Sequence, residues 1–531
     1  MGPSSRPGYR LYKLSPPSGI LLSLPLVLAV AWYAWSAYAQ IDRYGRGSGE
    51  EVPWSVELFQ IALHDELTRD LRRLTLPSRP EASSLPTFSL SLTRDNLDAL
   101  NRQVAGKEAR QYVNAFVRKD GTMRAVRIRY RGSKPWHWLG PQKSLKVRLD
   151  SGDLIDGTRI FNLVNDPTPF GLEEQIILDV SRELDLLTPE YKAVRLRLNN
   201  NDMGVYRYAA QPVEGLLRRG RRMPGALYSG DTGVIDSTRG VGSLFFTREG
   251  WKQVAEQSGD KGEDFGPLDE LLGAVRGASF LEFAEYANRS IDLKRYAMFD
   301  ALDVVFGGSE HEYFSNHKFY FDPYRGKFEP VAWSFRGFKN DPEFNYVDHP
   351  LLIRLKLTPG YLALRDSTIF SLLSNQASVP SIRTRAKRLF DAIAPDLRAD
   401  PYWDAYKLLP RVSRFHRFMV RPMTTSKWLL AARDEISGYS RRVRYLLDTL
   451  ERPDISGNAY LAAPTVARLH LRVTGHGAHD LRELTVSASC SGSFVFRADV
   501  NHSGTLDDEI DPVATSGAIG RTTAVNSHRS L

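Results

Sequence analysis

The strictest pattern in the chain is alternation. Val126-Arg-Ile-Arg-Tyr-Arg131 and Lys143-Ser-Leu-Lys-Val-Arg-Leu149 place apolar and polar side chains on opposite faces. That is the period of a half-buried strand, and it demands strand partners and a core for the apolar face. Asp120-Gly121 supplies the turn of a hairpin over 112–131. Thr87-Phe-Ser-Leu-Ser-Leu, Ala193–Leu198 and Val205–Ala210 add strands, and Thr93 caps a short helix. Helical patterns follow at 171–187, 266–289 and 293–306, with loops and short elements over 215–265. Phe319–Phe321 and Phe328–Trp333 form a second hairpin. From 350 to 452 the chain reads as mostly helical, and after Pro453 strand patterns return. Strands early and helices late predict an α+β class.

The N-terminus carries a different signal. No charged residue occurs from Leu14 to Ile41, and Arg6, Arg10 and Lys13 precede the stretch. About 20 apolar residues cross a bilayer as a helix, and basic residues on the near flank favour a cytoplasmic N-terminus. The expectation is one membrane helix with the body exported, or a signal segment cleaved near Ala39. The first 41 residues are then the tail and anchor. Residues 42–84 form a linker and an amphipathic helix, 85–452 the main domain and 453–531 a small β domain. The 531 residues carry a formal charge of +9, a mild bias over such a length, and no nucleic-acid partner is expected. The single cysteine, Cys490, excludes an intrachain disulfide framework.

Four ordered blocks resemble the kinase-like family of spore coat protein H (CotH). They are Arg129-Tyr-Arg-Gly-Ser133 with the Lys143–Leu149 strand; the hairpin Asn199–Tyr206; Asp292 opening a helix that ends at Gly307-Gly308, followed by Ser315-Asn-His-Lys-Phe-Tyr-Phe-Asp-Pro; and Gly326-Lys-Phe-Glu-Pro-Val-Ala-Trp333. The resemblance implies a bilobal atypical protein-kinase-like domain, ATP with Mg or Mn, and phosphoryl transfer to a protein substrate. Such chemistry needs cations on the phosphates, oxygens on the metal and a carboxylate near the incoming hydroxyl. Lys143, Lys146 and Arg131 are the candidate phosphate cations. Lys143 either enters a cleft or stays solvated ahead of its strand. Glu312 stands where the family carries the catalytic Asp, with Glu310 nearby, and Asn316 matches the metal-ligand amide.

The chain departs from the family elsewhere. Ser334 and Arg336 replace two acids after Trp333, and Ala210 and Gln211 stand where the hairpin ends in a glutamate. Two functions follow. One is a pseudokinase that binds a protein partner or an anionic ligand, with Ser334 a poor metal ligand. The other is an active kinase using Glu312, with metal on Asn316 and a further carboxylate such as Glu310 or Asp341. No Gly-x-Ser-x-Gly elbow or His-Glu-x-x-His motif supports a hydrolase. In the C-terminal part, Asp499, Asn501, Ser503 and Asp507 have the spacing of a calcium loop, although an acidic turn between strands has the same composition.

Overall fold

A computed structural model describes residues 24–39, 56–75, 83–102, 111–132, 137, 142–150, 152–165, 172–231, 243–255, 264–308, 310–335, 337–338, 349–402, 405–410, 418–423, 425–451, 454–463, 466–474, 484–486, 492–497, 513–519 and 523–525. Two helices, α1 (24–39) and α2 (Val56–Thr75), come first. Tyr33 on α1 donates to the Asp70 carboxylate on α2 at 3.2 Å.

Seven strands then close into a barrel. They are β1 (Thr87–Ser91), β2 (Val113–Lys119), β3 (Thr122–Tyr130), β4 (Leu145–Leu149), β5 (Ile160–Val164), β6 (Tyr191–Leu198) and β7 (Asn201–Ala210), in the order β1-β2-β3-β4-β5-β7-β6. Helices α3 (Arg94–Arg102) and α4 (Glu173–Glu183) lie in the connections. The alternating pattern explains the closure. Ile128, Tyr130, Leu145, Val147, Leu149, Phe161, Leu163, Tyr206 and Tyr208 all point into one buried core, and the parallel pairing of β1 with β6 removes the last edge. Phe88, Phe161 and Tyr208 pack their rings at 4.9–5.5 Å in its middle.

After α5 (Glu214–Arg219) comes a second, four-stranded sheet. It contains β8 (Ala226–Gly230), β9 (Trp251–Ala255), β10 (His317–Asp322) and β11 (Lys327–Pro330), in the order β11-β10-β8-β9. Three helices lie between β9 and β10 in the chain: α6 (Gly266–Gly277), α7 (Phe280–Ser290) and α8 (Leu293–Phe306). Ser279 ends the expected 266–289 helix early, because its hydroxyl and Glu282 form a capping box that starts α7. Asp292 caps α8, and Gly307, in the left-handed region, closes it. Helix α8 is buried on nearly every side.

The remaining helices are α9 (Pro350–Lys356), α10 (Tyr361–Ser374), α11 (Val379–Arg398) and α12 (Thr425–Glu451). Between α11 and α12 the expected helical run is interrupted by the antiparallel pair β12 (Ala405–Pro410) and β13 (Phe418–Met423). The C-terminal strands form three separate pairs: β14 (Asp454–Ala463) with β15 (Val466–Thr474), β16 (Leu484–Val486) with β19 (Thr523–Val525), and β17 (Gly492–Arg497) with β18 (Val513–Ile519).

This architecture corrects the expected bilobal kinase-like domain with a membrane helix. The early strands do not form an open lobe sheet, because their apolar faces meet inside a closed barrel, and a separate sheet with helices follows. The described part of the N-terminal apolar segment is helical only over 24–39, and no described helix is long and apolar enough to cross a membrane. Single-pass membrane association therefore has no support among the described residues. The calcium-loop residues Asp499, Asn501, Ser503 and Asp507 lie outside the described residues, as do Ser133, Arg336 and Asp341.

Candidate functional site

The outer surface of the barrel follows from the alternation that fills its core. Leu145, Val147 and Leu149 point inward, so Lys146 and Arg148 point outward. Register places Arg129 directly opposite Lys146, Lys146 opposite Asn162, and Arg127 opposite Arg148. Like charges directly opposite one another destabilise a sheet unless something offsets them. Arg127 has Asp150 at 3.5 Å, and Arg129 lies 5.1 Å from the Tyr112 ring. Asn162 is only 4% exposed, and its Oδ1 has no partner among the described residues.

The second sheet presents a matching row. Ser229 on β8 sits between Lys318 on β10 and Lys252 on β9. Lys318 Nζ donates to Ser229 Oγ at 2.6 Å and lies 5.0 Å from the Trp333 ring. The two rows sense each other. Burial, then Arg129, Arg131, Arg148 and Lys252, hold the Lys146 amine at about 8. Burial likewise pulls Lys318 down to about 8, with Asp231 opposing and Lys146 adding to the shift. Arg129, Lys146 and Arg148 on the barrel and Lys252 and Lys318 on the second sheet thus lie within electrostatic reach of one another's row.

The loop around Arg131 is fixed by small residues. Ser144, fully buried, accepts from Arg131 N with its backbone carbonyl at 3.0 Å, and its hydroxyl accepts from Asn165 N at 2.9 Å. Gly132 has a φ of +93°, and a Cβ there would stand 2.3 Å from the His137 ring. Burial lowers the Arg131 guanidinium below its ordinary value, and Glu174 and Tyr191 offset part of that.

Lys143 takes another direction. Strand β4 begins at Leu145, so Lys143 precedes it, half-buried, with Nζ 5.5 Å from the ring of Tyr130 at the end of the barrel core.

The acidic side of the expected site is assembled by histidines. His311 is buried, with Nδ1 at 2.7 Å from Asp303 Oδ2 and Nε2 donating to the Trp333 carbonyl at 2.7 Å. His317 Nε2 donates to the Glu312 carbonyl at 2.8 Å. The His311–Trp333 bond ties the loop that carries Glu312 and Asn316 to the segment that carries Ser334. Asn316 and Ser334 both have left-handed φ, +65° and +57°. Asn316 Nδ2 donates to the Glu310 carbonyl at 2.8 Å, so only its amide oxygen is left for a cation. Among the described residues no group of three or more His, Cys, Asp and Glu side chains could hold a metal ion. The cations fit a phosphate group, but these donors do not form a metal-binding set.

Ala210 does not belong to this cleft. It points into the barrel core at 1% exposure, so the absence of an acid there carries no weight. Sequence reasoning missed Lys318, Lys252 and Ser229. The available signal was Lys318, the one cation in the otherwise aromatic run His317–Phe321.

No curated protein matches the chain. Residues 128–352 match the model of the family described as CotH kinase protein. That match runs from β3 to the start of α9 and includes both sheets' contributions to the cleft. Over residues 128–352, less than half of its length, the chain is similar to the CotH kinase protein family.

Proposed function

We propose that the chain is a CotH-like pseudokinase, a binding scaffold whose cleft takes a phosphate-bearing ligand or partner without transferring phosphate. The observation that carries this reading is the pairing of a basic barrel face, with Lys146 opposite Arg129 and within electrostatic reach of Lys318, with Ser334 in place of a metal-binding acid. Cations attract the phosphates, but phosphoryl transfer also needs charge neutralised by metal and a positioned carboxylate. A hydroxyl is a weak ligand for Mg²⁺. Export of the body, from the uncharged segment 14–41, is part of the reading.

The test is nucleotide binding and turnover measured on one preparation. Thermal shift with ATP, with and without Mg²⁺ or Mn²⁺, should register binding, while labelled γ-phosphate should not appear on the protein or on added substrates. An active atypical kinase is the second reading, favoured by the His311–Trp333 bond, which ties the loop of Glu312 to the Ser334 segment. Robust transfer that is lost in Glu312→Gln would establish it and end the pseudokinase reading.

A further inference from the structure

We propose that Ser229 is an activated nucleophile with Lys318 as its general base, a pair that cleaves carboxylic esters carrying an apolar acyl group. The inference goes beyond the scaffold reading and does not depend on nucleotide binding.

The backbone register sets the pair. Lys318 on β10 stands directly opposite Ser229 on β8 in an antiparallel ladder, so both side chains leave the same face of the sheet. Lys318 Nζ lies 2.6 Å from Ser229 Oγ, and the Trp333 ring borders the amine with its centroid 5.0 Å away. Both residues are half-buried, so part of each stays open to solvent.

Ser229 differs from serines that serve a helix. Ser181, Ser374, Ser437 and Ser440 donate their hydroxyl protons to a carbonyl four residues back. Among the described residues, Lys318 is the only hydrogen-bond partner of the Ser229 side chain. An amine takes a hydroxyl proton only when it is neutral. No carboxylate among the described residues pairs with Lys318, and burial pulls its amine down to about 8. Serine–lysine pairs perform acyl transfer on unrelated folds and need no Gly-x-Ser-x-Gly elbow.

The neighbours suit an ester. Exposed Lys252 on β9 stands opposite Ser229 on its other flank, a positive charge for the oxyanion that forms there. Leu227, two residues from Ser229 and on the same face of β8, belongs with half-buried Val254 and Trp333 to one apolar cluster. That side of the pair fits an apolar acyl group. Ser229 Oγ forms a bond to the acyl carbon while its proton passes to Lys318 Nζ. The ammonium returns the proton to the leaving alcohol as the ester C–O bond breaks. Water, deprotonated by the same amine, then releases the carboxylic acid and restores both side chains.

The test uses the full chain with p-nitrophenyl butyrate as substrate and a fluorophosphonate, which displaces fluoride to form a stable serine adduct, as the mapping probe. Mass spectrometry should find the adduct on Ser229. Ester cleavage should rise with pH through an apparent pKa of about 8 and then level off. Lys318→Arg keeps the charge and the cross-strand donor but cannot take a proton in this range, so it should be slower by about 100-fold or more. Its melting temperature should stay near that of the wild type; if it falls, Ser229→Ala carries the test and should abolish both cleavage and labelling. An adduct on Lys318 or elsewhere in place of Ser229, no adduct at all, or equal rates in wild type and Lys318→Arg overturns the inference.

Discussion

Buried His311 pairs with half-buried Asp303, Nδ1 to Oδ2 at 2.7 Å, which ties the loop after α8 to the helix itself. The second ring nitrogen donates to the Trp333 carbonyl. Acceptors on both sides favour the doubly protonated imidazole. Burial opposes that charge, but Asp303 and the Trp333 carbonyl outweigh it and raise the His311 pKa above its ordinary value. A raised folded pKa adds stability that is complete below the unfolded value of about 6.5 and is lost as pH rises through the folded value. The urea midpoint of the wild-type protein should therefore fall, relative to that of His311→Gln, as pH rises above about 6.5. Parallel pH profiles for the two proteins would show that the pair is not charged.

Gly204 belongs to the hairpin block that resembles the family, and its role is packing. Its φ is +81°, and a Cβ there would stand 2.2 Å from the Asp400 carboxylate oxygens. That carboxylate accepts from Val205 N at 2.8 Å and from Tyr402 N at 2.7 Å, which docks the end of the helical region on β7. Gly204→Ala combines a strained backbone with overpacking and should cost about 2–3 kcal/mol in chemical denaturation. A loss near zero would mean that the 400 turn moves away freely.

The alternation of Val126–Arg131 and Lys143–Leu149 made the strands and their buried faces legible. So did Asp120-Gly121 for the β2–β3 turn, where both residues have positive φ. What alternation cannot encode is closure. The β1–β6 pairing is parallel and joins residues far apart in sequence, Phe88 with Leu196, so no turn signal marks it. The sheet of β8–β11 was equally hidden, because β8 and β9 are short and their partner β10 lies beyond three helices. For the site, the barrel cations Lys146 and Arg131 were readable as outward-facing positions. Lys318 was not, because its meaning depends on which sheet β10 joins and on what that sheet faces. Ala210, where the resemblance expects an acid, is sent into the barrel core by strand parity.

Arg195 on β6 and Asp396 on α11 make another long-range contact without a sequence signature. Both are almost completely buried, and their Nη1–Oδ1 distance is 2.9 Å. Arg195 also pairs with Asp202, and Ser83 donates to Asp396 at 2.8 Å. Removing one partner leaves a buried charge only partly compensated, so Asp396→Ala should cost about 3 kcal/mol. Replacing both partners removes that charge. Arg195→Met combined with Asp396→Leu should be more stable than Asp396→Ala alone when urea midpoints are compared. A double variant that is weaker than the single would mean that the pair contributes net stability of its own.

If the proposed function holds, Lys146 sets the pH range over which an anion is bound. Burial and the charges of Arg129, Arg131, Arg148 and Lys252 hold its amine at about 8, well below the usual lysine value. The sign for stability follows from that depression. Folding disfavours the charged amine, so the cost is complete below the folded value and is relieved as pH rises through it toward the unfolded value of about 10.4. The sign for ligand binding is the opposite. A phosphate dianion needs the ammonium, so affinity should be full only between the ligand's second pKa of about 6 and pH 8, and should fall as the free protein loses that proton above it. Binding measured near pH 8 should take up a fraction of a proton from the buffer, seen as a calorimetric enthalpy that changes with the buffer's ionisation enthalpy. Lys146→Arg keeps its charge across this range and should abolish most of the fall in affinity above pH 8. An affinity profile that is flat from neutral pH to about pH 9.5 in the wild-type protein would show that Lys146 is ordinary and solvated.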